Sequence, residues 1–117
     1  MDDPDCLFCK ILAGTIPSTI VAESELAYAF RDVNPAMPSH VLVIPRRHIT
    51  DAGTIDAAAD STDLAGVFAL ARQVVTEEGL DERGYRLVFN VGRDSGNTVP
   101  HLHLHVLGGR TMGWPPG

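Results

Sequence analysis

"HLHLHVLG", residues 101–108, is the stretch on which the reading of this chain turns. Three of the five histidines, His101, His103 and His105, stand two apart, and Leu102, Leu104 and Val106 occupy the alternate positions. Side chains on a strand alternate between its faces. As one strand, 101–108 would put the three imidazoles on one face, successive rings roughly 6.5–7 Å apart. Leu102, Leu104 and Val106 would lie on the other face, against a helix. Three uses of such a run stand open at this point. It could be the polar face of a half-buried strand, although solvation alone does not ask for three imidazoles. It could be a metal site built on the His-x-His pair, since imidazole is the commonest metal ligand. It could serve nucleophilic or acid–base catalysis, because a neutral imidazole carries a lone pair and titrates near physiological pH.

The flanking sequence reads as a sheet around this strand. "GYRLVFNVG" (84–92) alternates as a strand, and "RDSGNTV" (93–99) is a polar loop around Gly96. "HVLVIP" (40–45) is a short apolar run rich in β-branched residues and stopped by Pro45, the pattern of a central strand. "TIVAESELAYAFRD" (19–32) reads as two short strands around a turn at 23–25, followed by the loop "VNPAMPS" (33–39). "CLFCKILAGTIP" (6–17) suggests a short helix around Phe8 and Ile11, ended near Gly14. Residues 60–80 form the one long helical pattern, with Leu64, Val67, Phe68, Ala71, Val74 and Val75 on one face. Asp60, Ser61 or Thr62 can cap its start, and Gly79 suits its C-terminal turn. Five strands with short links, one main helix and a short N-terminal helix predict a mostly antiparallel α+β fold. At 117 residues the chain is expected to be a single domain over 1–117.

A net charge of −6 argues against a nucleic-acid partner, which needs a basic face, but leaves room for one electropositive pocket. No run approaches the roughly 18 apolar residues of a membrane span. The start "MDDPDC" is acidic and has neither the basic nor the apolar region of a signal peptide, so the expectation is a cytoplasmic protein without membrane association. In that compartment Cys6 and Cys9 are metal ligands, free thiols or, less in keeping with the surrounding pattern, a redox pair. Their Cys-x-x-Cys spacing is that of a zinc half-site, which would need histidines or carboxylates to complete it.

His101-Leu-His103-Leu-His105-Val-Leu resembles the signature of the histidine triad (HIT) superfamily. "CLFCKI" (6–11), "AFRDVNPAMPSHVLVIPRRHI" (29–49), "GYRLVFNVG" (84–92) and "HVLGGRTMGWPPG" (105–117) are similar to its Hint branch, the nucleoside phosphoramidases, so the likeness spans nearly the whole chain. The resemblance implies a HIT-like fold and a homodimer whose sheets join into one. It also implies hydrolysis of purine nucleoside 5′-phosphoramidates, yielding AMP or GMP through a nucleotidyl-histidine intermediate. His103 is then the nucleophile, its Nδ1–H donated to the carbonyl of His101, with His105 on the phosphate oxygens and His40 in support. A cluster of ionisable imidazoles can relay the proton that an amine leaving group needs. Asp32 is implied as the ribose contact, although before Asn34-Pro35 it also suits a plain turn. Asn90, Gly96 and Thr98 are implied around the phosphate, Thr98 where the branch often has Ser. Phe8, Ile11, Phe30 and Val33, with Leu7, Ile16 and Leu42, match a slot for the base, although each also suits an ordinary core. The tail, 108–117, would carry Trp114 toward the partner subunit's site. Bacterial relatives of this kind hold structural zinc with residues that correspond to Cys6, Cys9, His48 and His101. No organic cofactor is implied. A dinucleoside polyphosphate hydrolase and a nucleotide-binding regulatory module with weak catalysis are the alternatives.

Overall fold

The structure is a computed structural model that describes residues 5–117. The first four residues, part of the acidic start and of the expected 1–117 domain, lie outside the described residues. Helix α1 (Leu7–Leu12) begins at Cys6, whose Sγ accepts from the Cys9 backbone N–H at 3.3 Å, so a thiol takes the place of the usual capping oxygen. Strands β1 (Ile20–Glu23) and β2 (Ala27–Arg31) form a hairpin closed by Ser24, whose N–H donates to the Ala27 carbonyl at 2.9 Å. Then follow β3 (Ser39–Pro45), α2 (Ser61–Glu77), β4 (Tyr85–Phe89) and β5 (Leu104–Gly108). The strands make one antiparallel sheet in the order β1-β2-β3-β5-β4, which bears out the α+β expectation.

β3 lies at the centre, and all seven of its residues are buried. A strand covered on both faces has no reason to alternate polar and apolar residues, and this explains the continuous run 40–45. On one face Ala27, Ala29, Val41, Val43, Leu104 and Val106 pack against Val67, Leu70, Ala71, Val74 and Val75 of α2. On the other, Tyr28, Phe30, Leu42 and Ile44 pack against Cys6 and against Phe8, Cys9 and Ile11 of α1. The period of two along β2 and β3 thus supplies two cores, and α1 lies over the face that carries His103 and His105.

Three sequence expectations need correction. The apolar stripe of α2 runs through Leu70, while Phe68 is 43% exposed and Leu64 only half-buried. Helical periodicity sets the direction of a stripe but not its width, and the sheet ends beside Phe68, whose ring meets Phe89 of β4 edge-on at 6.0 Å. Asp60 sits at the N-cap of α2 without capping it. Its carboxylate instead accepts from the Asp56 N–H at 2.8 Å and from Arg47, which ties the segment after β3 to the helix. Finally, regular pairing in the last strand starts at Leu104, not at residue 101. Leu102 N–H donates to the Ile49 carbonyl at 2.6 Å, so the chain is drawn to the segment that follows β3 before it enters the sheet. At the C-terminus of α2 the expectation holds. Gly79, at φ +70°, allows Leu80 N–H to reach Val75 O at 2.9 Å and its own N–H to reach Thr76 O at 3.2 Å.

Candidate active site and metal centre

The departure from the strand at 101–103 splits the three histidines between two sites. His101 is fully buried, with Nδ1 3.3 Å from Cys6 Sγ and 3.5 Å from Cys9 Sγ. His48, after the end of β3, sets its Nδ1 3.4 Å from Cys9 Sγ. The four candidate ligand atoms lie within 4.8 Å of one another. Tetrahedral zinc with Zn–S near 2.3 Å and Zn–N near 2.0 Å holds neighbouring S and N atoms roughly 3.5 Å apart, so this donor set fits such an ion. The second nitrogen of His101 fits it too. Nε2 lies 3.1 Å from the Pro45 carbonyl, which can only accept, so the ring proton is on Nε2 and the Nδ1 lone pair faces the thiols. Neither cysteine is in a disulfide.

His103 and His105 face a cleft of about 470 Å³, roofed by α1 and the loop before β5. The Nδ1 of His103 lies 2.7 Å from the His101 carbonyl oxygen. A carbonyl has no proton to give, so Nδ1–H donates and Nε2 keeps its lone pair. The ring is held edge-on by Phe8, centroids 5.1 Å apart. Behind His105 runs a directional chain. The Ala36 N–H donates to His40 Nδ1 at 2.9 Å, so in the neutral ring the proton is on Nε2. That Nε2 is 2.8 Å from His105 Nδ1 and 3.3 Å from Asp32 Oδ2. His40 therefore donates to His105 and leaves the His105 proton on Nε2. Burial, and then the charges of His103 and His40, lower the His105 pKa to about 4, against an opposing pull from Asp32. Burial likewise lowers that of His40, opposed by Asp32. Near neutral pH both rings are uncharged, as the chain requires.

Asp32, His40 and His105 also have residue types and spacing that suit a metal. The tautomer argues otherwise. The Ala36 N–H leaves the proton of His40 on Nε2, the nitrogen that would have to ligate. Asp32, His40 and His105 are thus joined as a hydrogen-bond relay.

The remaining expected residues divide by location. Phe8, Ile11, Ile16, Phe30, Val33 and Leu42 supply apolar lining to the cleft, and Asp32, Asn90, Gly96 and Thr98 line it as well. Asp32 Oδ1 accepts from the Asn34 N–H at 2.8 Å in a turn, and the residue also lines the cleft. Asn90 donates from Nδ2 to the Ser95 carbonyl at 3.0 Å and so holds the loop, which turns at Gly96 with φ +82°. Trp114 stands apart from the cleft of its own chain, 82% exposed, with the Arg86 guanidinium 5.8 Å from its ring centre. Asn34, Asn97 and Val99 also line the cleft, and the sequence reading did not single them out. Their signal was the loop composition itself, which does not say which loop residues face inward. A groove of about 430 Å³ between the β1–β2 turn and α2 has Glu25 as the one titratable side chain in its lining, whereas the cleft has Asp32, His103 and His105.

Comparison with known proteins agrees with this geometry. The HIT domain model matches residues 13–112. A 14 kDa zinc-binding protein of Zea mays is 42% identical over 118 residues, covering 100% of this chain and 91% of its own. The crystal structure of a HIT family hydrolase from Legionella pneumophila superposes with a TM-score of 0.92 at 50% identity, covering 97% of this chain and 100% of its own. A histidine triad nucleotide-binding protein from Candida albicans gives a TM-score of 0.81 at 31% identity, covering 95% of this chain and 83% of its own. With a match over most of its length, the chain belongs to the HIT family, among relatives of the hydrolase and zinc-binding kind.

Proposed function

We propose that this protein hydrolyses purine nucleoside 5′-phosphoramidates through a nucleotidyl-histidine intermediate on His103. The observation that carries the proposal is the 2.7 Å contact from His103 Nδ1 to the His101 carbonyl, which leaves Nε2 free to attack. In the first step Nε2 bonds to the α-phosphorus, the P–N bond breaks, and the amine departs as it takes up a proton. Water then displaces the histidine and releases AMP or GMP. His105 offers Nε2–H to the phosphate oxygens as negative charge gathers there. Asp32 accepts from the ribose hydroxyls, and Gly96, Thr98 and Asn90 shape the phosphate end. The base lies among Phe8, Ile11, Phe30 and Val33, where burial favours either purine. The hydrolase and nucleotide-binding names of the Legionella and Candida relatives support the reading at the level of hydrolase and nucleotide.

Cys6, Cys9, His48 and His101 are proposed to hold one structural zinc ion. Four protein ligands leave no open position, so the ion would fasten α1 to the chain beside the nucleophile and would not activate water. The zinc-binding name of the Zea mays relative supports this. A homodimer is proposed through the β4 edge, where Phe68, Tyr85, Leu87 and Val91 are exposed and the sheet has no further strand. Trp114 would then serve the partner's site. Two buried cysteines without a disulfide suit the cytoplasm. Among the described residues no helix is long and apolar enough to cross a membrane.

The test is steady-state hydrolysis of a fluorogenic adenosine 5′-phosphoramidate by wild type and His103→Ala, with dimer mass checked for both. Turnover that falls by about 10³-fold or more in the variant supports the proposal. A folded wild type that cleaves a dinucleoside polyphosphate and not the phosphoramidate refutes it in favour of the alternative hydrolase.

A further inference from the structure

Cys6 and Cys9 flank Phe8 within one turn of α1. The Phe8 ring stands edge-on to His101 at 5.9 Å and to His103 at 5.1 Å, and it meets Phe30 at 5.5 Å where both line the cleft. One side chain thus touches a metal ligand, the nucleophile and the wall for the base. A second link runs through the backbone. His101 turns its imidazole to the thiols, and its carbonyl receives the His103 Nδ1–H. The element that carries Phe8 is weak on its own. α1 has six residues, well below the length at which an isolated helix persists in water. Its order comes from the packing of Phe8, Cys9 and Ile11 and from whatever fastens Cys6 and Cys9 to His48 and His101.

We infer that metal and nucleotide bind this protein cooperatively, with Phe8 as the positioning residue that couples the two sites. The inference rests on the cluster being a metal centre and the cleft a nucleotide site. A metal at the cluster holds the α1 turn in place, and this fixes the wall against which the base packs and the ring that braces His103. A base in the cleft presses on Phe8 and Ile11 from the other side and holds the same turn. Linkage requires each ligand to tighten the other by the same factor, typically about 5- to 150-fold for coupled sites.

Zinc-loaded full-length protein is titrated with a chromogenic chelator, with and without saturating AMP. The expected result is that AMP raises the chelator concentration for half-release about tenfold. Calorimetry on zinc-loaded and zinc-stripped protein should show AMP affinity weakened by the same factor on stripping. Phe8→Leu keeps all four ligands and is expected to retain zinc, bind AMP less tightly and lose most of the AMP effect on release. If both ligands bind wild type and neither changes the other's affinity, the coupling is overturned while both sites stand. If Phe8→Leu keeps the full factor, the assignment to Phe8 is overturned. If wild type takes up no zinc, or zinc-loaded wild type binds no AMP, the underlying reading fails and the coupling fails with it. Should Phe8→Leu not fold, the two wild-type measurements still decide the coupling, and Phe8→Tyr, which keeps the ring, and Phe8→Met, which does not, decide the assignment to Phe8.

Discussion

Lowering the pH from 7.5 to 5 should destabilise the wild-type protein through His105 in particular. Its imidazole is pushed from the ordinary 6.5 to about 4, chiefly by burial and then by His103 and His40. Between those two values the unfolded chain takes up the proton and the folded chain does not. The folded state therefore has its full advantage above pH 6.5 and loses it as the pH falls toward 4. Each pH unit of difference is worth about 1.4 kcal/mol, so the whole window amounts to about 3 kcal/mol before screening. His105 borders an open cleft, and water there reduces the expected value to roughly 1–2 kcal/mol, of which about 1 kcal/mol falls between pH 7.5 and 5. The assay is urea unfolding at fixed protein and zinc concentrations, wild type against His105→Gln. Any zinc released at low pH is lost from both proteins, so the difference between them isolates His105. Wild type should lose about 1 kcal/mol more than the variant. An equal loss, or an NMR titration of the His105 ring with its inflection at 6.5 or above, would refute the argument.

Removing bound metal with a strong chelator should lower the thermal midpoint by about 10 °C or more, as expected when ligation is coupled to folding, and calorimetric scanning would detect it. Leu104→Ala, at a fully buried position of β5, should cost about 2–5 kcal/mol in denaturant unfolding, because the cavity opens between the sheet and α2. Leu87→Arg on the exposed face of β4 should leave the fold intact and shift the mass in solution from dimer to monomer; a dimer that persists would place the interface elsewhere.

Much of this protein is legible in order of residues alone. The alternation in β4 and the apolar run of β3 specify strands, since a pleated backbone has a period of two and a strand covered on both faces has none. The stripe of α2 and the Gly79 stop specify the helix. The spacing His101-x-His103-x-His105, read with the tail and the Cys-x-x-Cys pair, was sufficient to indicate the family. Each of these signals is local, carried by neighbours along the chain. The structure had to decide everything that depends on which distant segments meet. Leu102 binds Ile49, and this pulls the backbone out of the strand at 101–103 and parts His101 from its two companions. Asp60 is claimed by Arg47 and so leaves α2 without its expected cap. Phe68 meets the edge strand β4 and stays 43% exposed while Leu70 is buried, though a helical stripe admits both. The direction of the relay Ala36–His40–His105 is invisible to spacing, because a backbone N–H four residues before His40 chooses its tautomer. Sequence determines which side chains are available and their local periodicity; which nitrogen carries a proton and which thiol meets which imidazole depend on contacts made only when β3, β5 and α1 come together.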